Sequence, residues 1–90
     1  MNEHDLKTHT KELCQIVASI SNEFDAFVFL RDLLTQNELE EFWQRLLIAK
    51  LLTQKVSYKE IEAKTWASST TIARVSKFLH WNYGGYRKWI

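Results

Sequence analysis

Hydroxyl and cationic side chains are concentrated in one stretch of the sequence, "ASSTTIARVSK", residues 67–77. The four hydroxyl residues 68–71 are followed by Arg74 and Lys77, at intervals close to one helical turn. Hydroxyl and guanidinium groups hydrogen-bond to base edges and to phosphates, and a threonine methyl group can contact the thymine methyl. The pattern is typical of a helix whose N-terminal end enters the major groove of DNA.

A second polar group precedes this stretch, at the predicted start of another short helix. Ser57 and Glu60 have the Ser/Thr-x-x-Glu spacing that satisfies the free amides of a helix N-terminus. Those amides, together with the helix dipole, also favour a bound phosphate. The two segments contain nine candidate DNA-binding residues: Ser57, Tyr58, Lys59, Ser68, Ser69, Thr70, Thr71, Arg74 and Lys77.

The spacing of apolar residues around these segments predicts a helix-turn-helix over residues 57–79. Ile61 would pack against Ile72 and Val75 across a turn of about three residues. Each polar feature also has a purely structural explanation. A serine and threonine run at a helix start usually only caps the helix, and an exposed cation is usually just solvated.

Charge and composition agree with an all-α DNA-binding domain. Residues 1–54 carry five Lys/Arg and nine Asp/Glu, a balance of −4, whereas residues 55–90 carry seven and two, a balance of +5. This asymmetry suggests that the C-terminal part faces a polyanion. The chain has no proline and two adjacent glycines, which favours long helices.

Because no leader or apolar run of about 18 residues is present, we expect a cytoplasmic protein without membrane contact.

The sequence offers little for catalysis or metal binding. His4 and His9 are five residues apart, His80 is remote, and the single Cys14 cannot complete a zinc site. No glycine-rich phosphate loop or activated nucleophile is present. We therefore predict neither an enzyme nor a metal site nor a cofactor. Cys14 lies between apolar neighbours and is predicted to be a small core residue.

Hydrophobic periodicity predicts a single domain, residues 1–90, of five to six helices. The first helix covers residues 5–20, the second starts at "SNEFD", and the third starts at "TQNE", where Thr35 and Glu38 repeat the capping spacing. The centre of the third helix, "LLIAKLL", is apolar on nearly every side. A 90-residue monomer has little to cover it with, so residues 5–54 are predicted to form a homodimer.

An aromatic segment, residues 80–90, closes the chain. Its glycine pair, Gly84 and Gly85, is predicted to end the preceding helix. Its aromatic residues fit packing or dimer contacts better than base stacking. These residues are Trp81, Tyr83, Tyr86 and Trp89.

The segment from Leu33 to Leu79 resembles the tryptophan-repressor family. The elements "QRL", "AKLL", "YKEIE", "ASSTTIARV" and the "YGGY" tail resemble its YerC/YecD branch in particular. The resemblance implies an all-α bundle in which the helices before the helix-turn-helix intertwine in a homodimer. It also implies a transcriptional regulator on a roughly palindromic site, with its two reading helices about 34 Å apart.

Several positions depart from the family pattern. The resemblance implies a tryptophan pocket that needs an arginine, matched by Arg74, followed by a small residue, which here is Val75. The pocket's other arginine falls on Gln44, and Arg45 is one place off, about 100° around the helix. We therefore expect that free tryptophan is not an effector.

The turn itself departs as well, because Trp66 stands where such motifs usually have glycine. A bulky residue at positive φ costs about 1 kcal/mol or more. Either the first reading helix runs one residue longer, or the indole offsets the strain by packing on a neighbour. Glu62 and Thr65, where small and apolar residues are commoner, suggest a looser junction.

Two functions follow as hypotheses. The first is a homodimeric, sequence-specific DNA-binding regulator, acting as a repressor through its helix-turn-helix. The second is a protein–protein interaction module whose basic C-terminal face docks an acidic partner, with Trp66 as an apolar anchor.

Overall fold

The structure, a computed structural model, describes residues 1–80 and 83–90 of the chain. These residues form seven α-helices and no strand, so the all-α prediction is confirmed. The helices are α1 (Glu3–His9), α2 (Lys11–Ser19), α3 (Glu23–Leu33), α4 (Gln36–Thr53), α5 (Tyr58–Thr65), α6 (Ser69–His80) and α7 (Gly85–Trp89). The described part of the chain thus has more helices than the five to six predicted.

One additional helix arises because the predicted first helix is divided at Thr10. The hydroxyl groups of Thr8 and Thr10 donate to the carbonyl oxygens of His4 (3.0 Å) and Leu6 (2.7 Å). Such bonds to the preceding turn compete with the backbone ladder and bend helices. Thr10 accordingly takes φ −93° and ψ 4°, between α1 and α2.

The other additional helix is α7, which follows the glycine pair. Gly84 and Gly85 were predicted to end the preceding helix; α6 is described up to His80, and Gly84 directly precedes α7. Gly84 has φ 82°, a conformation that residues with a Cβ atom rarely adopt. Arg87 Nη1 donates to the carbonyl of Leu79 (2.9 Å) and joins α7 to the last turn of α6. The predicted packing role of Trp81 lies outside the described residues.

The starts of α3, α5 and α6 lie where the sequence predicts them, and a polar side chain caps each of the three helices. The side chain of Asn22 accepts the Asp25 N–H (2.8 Å) at the start of α3. Ser57 Oγ accepts the Glu60 N–H (3.3 Å) before α5, and Ser68 Oγ accepts the Thr71 N–H (3.2 Å) before α6. Each bond satisfies an amide that has no partner within its helix.

The end of α4 is defined by a pair of backbone hydrogen bonds. Val56 N–H donates to the Leu51 carbonyl (3.1 Å) and Lys55 N–H to the Leu52 carbonyl (3.0 Å). This is a Schellman motif, and it requires a left-handed residue, here Lys55 at φ 61°. Val56 packs against the core next to Leu51, the apolar contact that usually accompanies the motif.

The chain divides into two compact units, Met1–Gln36 and Asn37–Ile90. In the first unit no residue of α1, α2 or α3 is buried. Phe24 is 72% exposed and Phe27 is also exposed. Cys14, predicted to be a core residue, is exposed as well, because this unit has no core of its own within the single chain.

The second unit contains the core. Ile48, Ile61 and Ile72 are fully buried and belong to one cluster with Val75, so the predicted apolar contact between α5 and α6 is confirmed. The cluster is completed by Ala49, Leu51 and Ala67. None of the helices described is both long and apolar enough to cross a bilayer.

Candidate nucleic-acid interface

All nine predicted site residues lie in the second unit. Ser57 directly precedes α5, and the other eight lie on α5, on α6 or in the turn between them. The turn consists of the three residues 66–68, as predicted. Six of the nine residues lie between Ser68 and Lys77, in the turn and along α6. The other three lie at the opposite end of α5, and an eight-residue helix is about 12 Å long.

Three of the nine residues have a structural role that limits their freedom. Ser57 and Ser68 cap α5 and α6, as described above. Thr71 is half-buried, and its hydroxyl group lies 3.1 Å from that of Ser68. For these three residues the purely structural explanation holds for at least part of what the side chain does.

The remaining candidates on α6 are exposed and have fewer internal partners. Ser69, Thr70 and Lys77 are exposed, and within residues 1–80 and 83–90 their side chains make no hydrogen bond or ion pair. The hydroxyl and ammonium groups are therefore available to an external ligand. Lys59 and Tyr58 at the start of α5 are exposed in the same way.

Arg74 is exposed and lies against an aromatic ring. Its guanidinium carbon is 5.5 Å from the centroid of the Phe78 ring, and no carboxylate pairs with it in the described ranges. Stacking on an aromatic ring orients the planar guanidinium group without using its five N–H donors. Arg74 thus presents a complete set of donors to solvent.

The N-terminus of α6 differs electrostatically from those of the five helices before it. Each of α1 to α5 has at least one acidic residue in its first turn, whereas α6 has none. Acidic residues in this position normally stabilise a helix by neutralising its dipole. Their absence leaves the positive end of α6 free to attract the phosphates of a nucleic acid.

The turn between α5 and α6 is built differently from either expectation. Trp66 ends α5 at φ 59° and ψ 15°, so the helix does not run one residue longer. Its side chain is 91% exposed, so the indole does not offset the strain by packing either. Both alternatives offered for this position are therefore wrong.

Thr65 stabilises the turn instead. Its side chain is buried, its hydroxyl group donates to the Ile61 carbonyl (2.7 Å), and the hydroxyl oxygen accepts the Ala67 N–H (3.2 Å). Its own carbonyl accepts a hydrogen bond from Gln44 Nε2 (2.8 Å). The expectation of a looser junction at Thr65 is therefore wrong, because the hydroxyl connects both sides of the turn.

Gln44 and Thr65 are structural residues of the site that the sequence did not reveal. A threonine at the end of a helix is a weak local signal for a turn in which its hydroxyl group bonds to the backbone N–H two residues later. The partner Gln44 is 21 residues away, and no local signal points to it.

A cavity of about 450 Å³ lies beside α6. Arg45, Arg74, Val75 and Phe78 are among its lining residues. Arg45, expected to point away around α4, therefore reaches the same cavity as Arg74. Val75 is 2% exposed and forms part of the wall without closing the cavity.

Comparison with known proteins places these features in a family context. The family model of the Trp repressor protein matches residues 8–90. The uncharacterized protein YerC of Bacillus subtilis is 38% identical over 81 residues, which cover 87% of this chain and 76% of YerC. A crystal structure of a candidate Trp repressor from Staphylococcus aureus superposes with a TM-score of 0.88 at 32% identity, covering 98% of this chain and 89% of that one.

Proposed function

Because the chain belongs to the Trp repressor family, a family of DNA-binding transcription regulators and not of enzymes, we propose that it is a sequence-specific repressor. It binds double-stranded DNA as a homodimer, through residues 57–79, and acts in the cytoplasm. No catalytic residue, metal or cofactor takes part in this function. The observation that carries the proposal is the exposed N-terminal half of α6, with its unpaired hydroxyl groups, its stacked arginine and no acidic residue in its first turn.

The contacts divide into two kinds. Arg74 and the hydroxyl groups of Ser69 and Thr70 approach base edges from the N-terminal half of α6. Lys77 and the α5 N-terminus contact phosphates, which position the protein without reading sequence. We expect the remaining candidates, Ser57, Tyr58, Ser68 and Thr71, to support or supplement these contacts.

Homodimer formation is supported by the large apolar residues that the single chain leaves exposed. The first unit has no buried residue in its three helices, and on α4 Trp43 is 60% exposed, next to exposed Phe42 and Leu46. An apolar patch of this kind is rare on a monomer and marks an interaction surface. We propose that residues 5–54 of two chains intertwine and cover each other. In the aromatic segment Tyr86 packs against the core, and we propose that Tyr83 and Trp89, each 81% exposed, contact the partner chain.

We also propose that free tryptophan does not control the regulator. Val75 supports this proposal, since its branched side chain stands where the tryptophan pocket would need a small residue. Gln44 is engaged with the Thr65 carbonyl, and Arg45 lies 5.4 Å from the Phe42 ring and 3.7 Å from Glu41. Gln44 is thus committed to the Thr65 carbonyl, whereas Arg45 is held only by an exposed ion pair and also lines the cavity, so the proposal depends mainly on Val75. Tryptophan added at saturating concentration should leave the duplex affinity unchanged, and a rise would contradict the proposal.

Selection from a random duplex library tests the reading of DNA by a symmetric dimer. The recovered sites should have two-fold symmetry, with half-sites about one helical turn apart. An asymmetric consensus would count against the dimer geometry.

Titration of the selected duplex by fluorescence anisotropy tests the role of Arg74. Arg74→Ala should weaken binding by about 1–3 kcal/mol and relax the sequence preference, because a bidentate contact to a base edge is lost. Sedimentation should show the same oligomer as the unmodified chain. Raising the salt concentration should weaken binding of both proteins steeply.

The rival function, docking of an acidic protein partner, is favoured by one observation, the exposed Trp66 indole. Its test is the same titration at low salt. Failure to bind any duplex there would favour the rival over DNA binding.

A further inference from the structure

Trp66 is a residue that the fold does not need. Its left-handed backbone is one that tryptophan adopts only at a cost, whereas glycine and asparagine tolerate it. Its indole is almost fully exposed, so the strain is not offset by burial. Strained residues that persist without a structural benefit occur at functional sites.

The backbone on both sides of Trp66 is held firmly. The preceding Thr65 is 4% exposed and the following Ala67 is 7% exposed. Trp66 N–H donates to the Glu62 carbonyl (2.9 Å), and the Thr65 hydroxyl accepts the Ala67 N–H (3.2 Å). The indole therefore projects into solvent from a backbone whose position is determined by its buried neighbours.

The residues that flank Trp66 in the sequence are small, polar or charged. From Glu62 to Thr70, Trp66 is the sole large apolar side chain, and the exposed neighbours include Lys64, Ser68 and Ser69. An anchor of a protein interface is normally surrounded by further contacts that exclude water. No second large apolar residue flanks Trp66 in this part of the sequence, so a protein partner is the less suitable occupant.

We propose that Trp66 contacts the sugar–phosphate backbone of duplex DNA at the edge of the major groove. This inference rests on the proposed function. The indole N–H can only donate a hydrogen bond, and phosphate oxygens only accept. The ring itself would lie against the deoxyribose. Trp66 would thus be a positioning residue that strengthens binding to all sequences alike.

The position of Trp66 in the chain fits this role. It lies two positions before the α6 cap Ser68, and a step of two positions spans at most about 7 Å. The major groove is about 12 Å wide. A side chain this close to the end of a helix that enters the groove therefore reaches the groove's rim, where the backbone runs.

Affinity measurements with two substitutions test the proposal. Trp66→Asn keeps a residue that tolerates the left-handed conformation, so its Tm should equal or exceed that of the unmodified chain. Its affinity for specific and non-specific duplexes alike should fall roughly tenfold. Trp66→Phe keeps a ring but lacks the N–H donor, so its affinity for duplex should lie between that of the unmodified chain and that of Trp66→Asn.

The salt dependence separates this contact from an ionic one. Tryptophan is neutral, so Trp66→Asn should leave the slope of log affinity against log salt unchanged. The matched control Lys59→Gln, which removes a charge from the start of α5, should reduce that slope by about one. An altered slope for Trp66→Asn would overturn the proposed contact.

Fluorine NMR provides a direct readout. A chain labelled with 5-fluorotryptophan has four resonances, one for each tryptophan, and Trp66→Phe identifies the resonance of Trp66. Added duplex should shift this resonance. The inference is overturned if the duplex binds and the resonance does not move, or if Trp66→Asn binds within about twofold of the unmodified chain.

Two further outcomes distinguish a failure of the proposed Trp66 contact from a failure of the proposed function. If sedimentation shows that Trp66→Asn dissociates the dimer, the indole contacts a second copy of the chain and the DNA contact is overturned. If the unmodified chain itself binds no duplex, the proposed function fails, and this inference fails with it.

Discussion

The hydroxyl group of Thr65 shows how a single atom supports the turn between α5 and α6. It donates to one residue of α5 and accepts from the turn, which fixes the chain direction just before α6 begins. The neighbouring Trp66 keeps its left-handed backbone because this network leaves it little choice. At the scale of single residues, the stabilising side chain of Thr65 and the proposed DNA contact of Trp66 therefore occupy adjacent positions.

Thr65→Val should destabilise the protein. The substitution keeps the shape of the side chain but leaves the buried Ala67 N–H without its partner, which costs about 1–3 kcal/mol of unfolding free energy. Urea denaturation measures the change. The control Thr53→Val removes an exposed hydroxyl that bonds to Lys50 in the same way, and its effect should stay within about 0.5 kcal/mol. Equal effects of both substitutions would show that the Thr65 network has no special role.

Helix termini are the elements on which this fold depends. Serine and asparagine caps start α3, α5 and α6, and a Schellman motif ends α4. At the end of α4 a lysine occupies the left-handed position that glycine would occupy without strain. At the start of α6 no acidic residue neutralises the dipole. Other residue types at these two termini would therefore give the same backbone a higher stability.

Lys55→Gly should stabilise the protein. Glycine removes the steric cost of the left-handed conformation, so the free energy of unfolding should rise by about 1 kcal/mol. The matched control is the preceding residue, which is not in the left-handed region. Gln54→Gly should lower stability by about 0.5–1 kcal/mol. Thermal unfolding of the two variants should shift in opposite directions, and a shift in the same direction would contradict the prediction.

Thr70→Glu should separate stability from DNA binding. A carboxylate in the first turn of α6 should raise the free energy of unfolding by about 0.3–1 kcal/mol, since it neutralises the dipole. The same charge should repel phosphates and abolish tight duplex binding. Thr70→Gln, of the same size but neutral, should bind duplex more tightly than Thr70→Glu. If the two variants bound equally well, the electrostatic role of this terminus would be wrong.

At the scale of the whole molecule, the distribution of exposed apolar residues indicates which part of the chain needs a partner to be stable. The core formed by α4, α5 and α6, against which Tyr86 of α7 packs, belongs to the second unit. The first unit has apolar residues at helical spacing and no residue of its helices buried. Such a segment has little reason to remain folded by itself, so its stability should come from the partner chain.

The thermal midpoint should therefore rise with protein concentration, because folding and association are linked. Calorimetry over a wide range of concentration measures this dependence. Trp43→Glu, which places a charge on the exposed apolar part of α4, should shift sedimentation towards the monomer and lower the midpoint. Lys50→Gln, an exposed change on the same helix, should leave both unchanged. A stable, fully folded single chain that is indifferent to concentration would contradict the dimer.

Much of the fold could be read from local patterns. The start of α5 after Ser57 and of α6 after Ser68, and the packing of Ile61 on Ile72, were predicted and are present. The reason is physical: a cap joins residues three apart, and a helical stripe repeats within one segment. The division at Thr10 was missed because its hydroxyl can either face solvent or bond to the preceding turn.

The candidate site was predictable in composition and less so in geometry. The hydroxyl groups and cations of α6 are where the periodicity predicts them, and their role in DNA binding remains a proposal. The approach of Arg45 to the cavity beside Arg74 was not predicted, because it depends on how α4 packs against α6.

The sequence by itself determined that this is an all-α protein of the Trp repressor family with a capped helix pair, since those properties depend on short-range spacing and on motif similarity. The tertiary structure decided the rest: the left-handed Trp66, the Gln44 bond to Thr65 across 21 residues, and the exposure of Cys14. These features depend on contacts, or on missing contacts, between distant segments, and no local pattern encodes them.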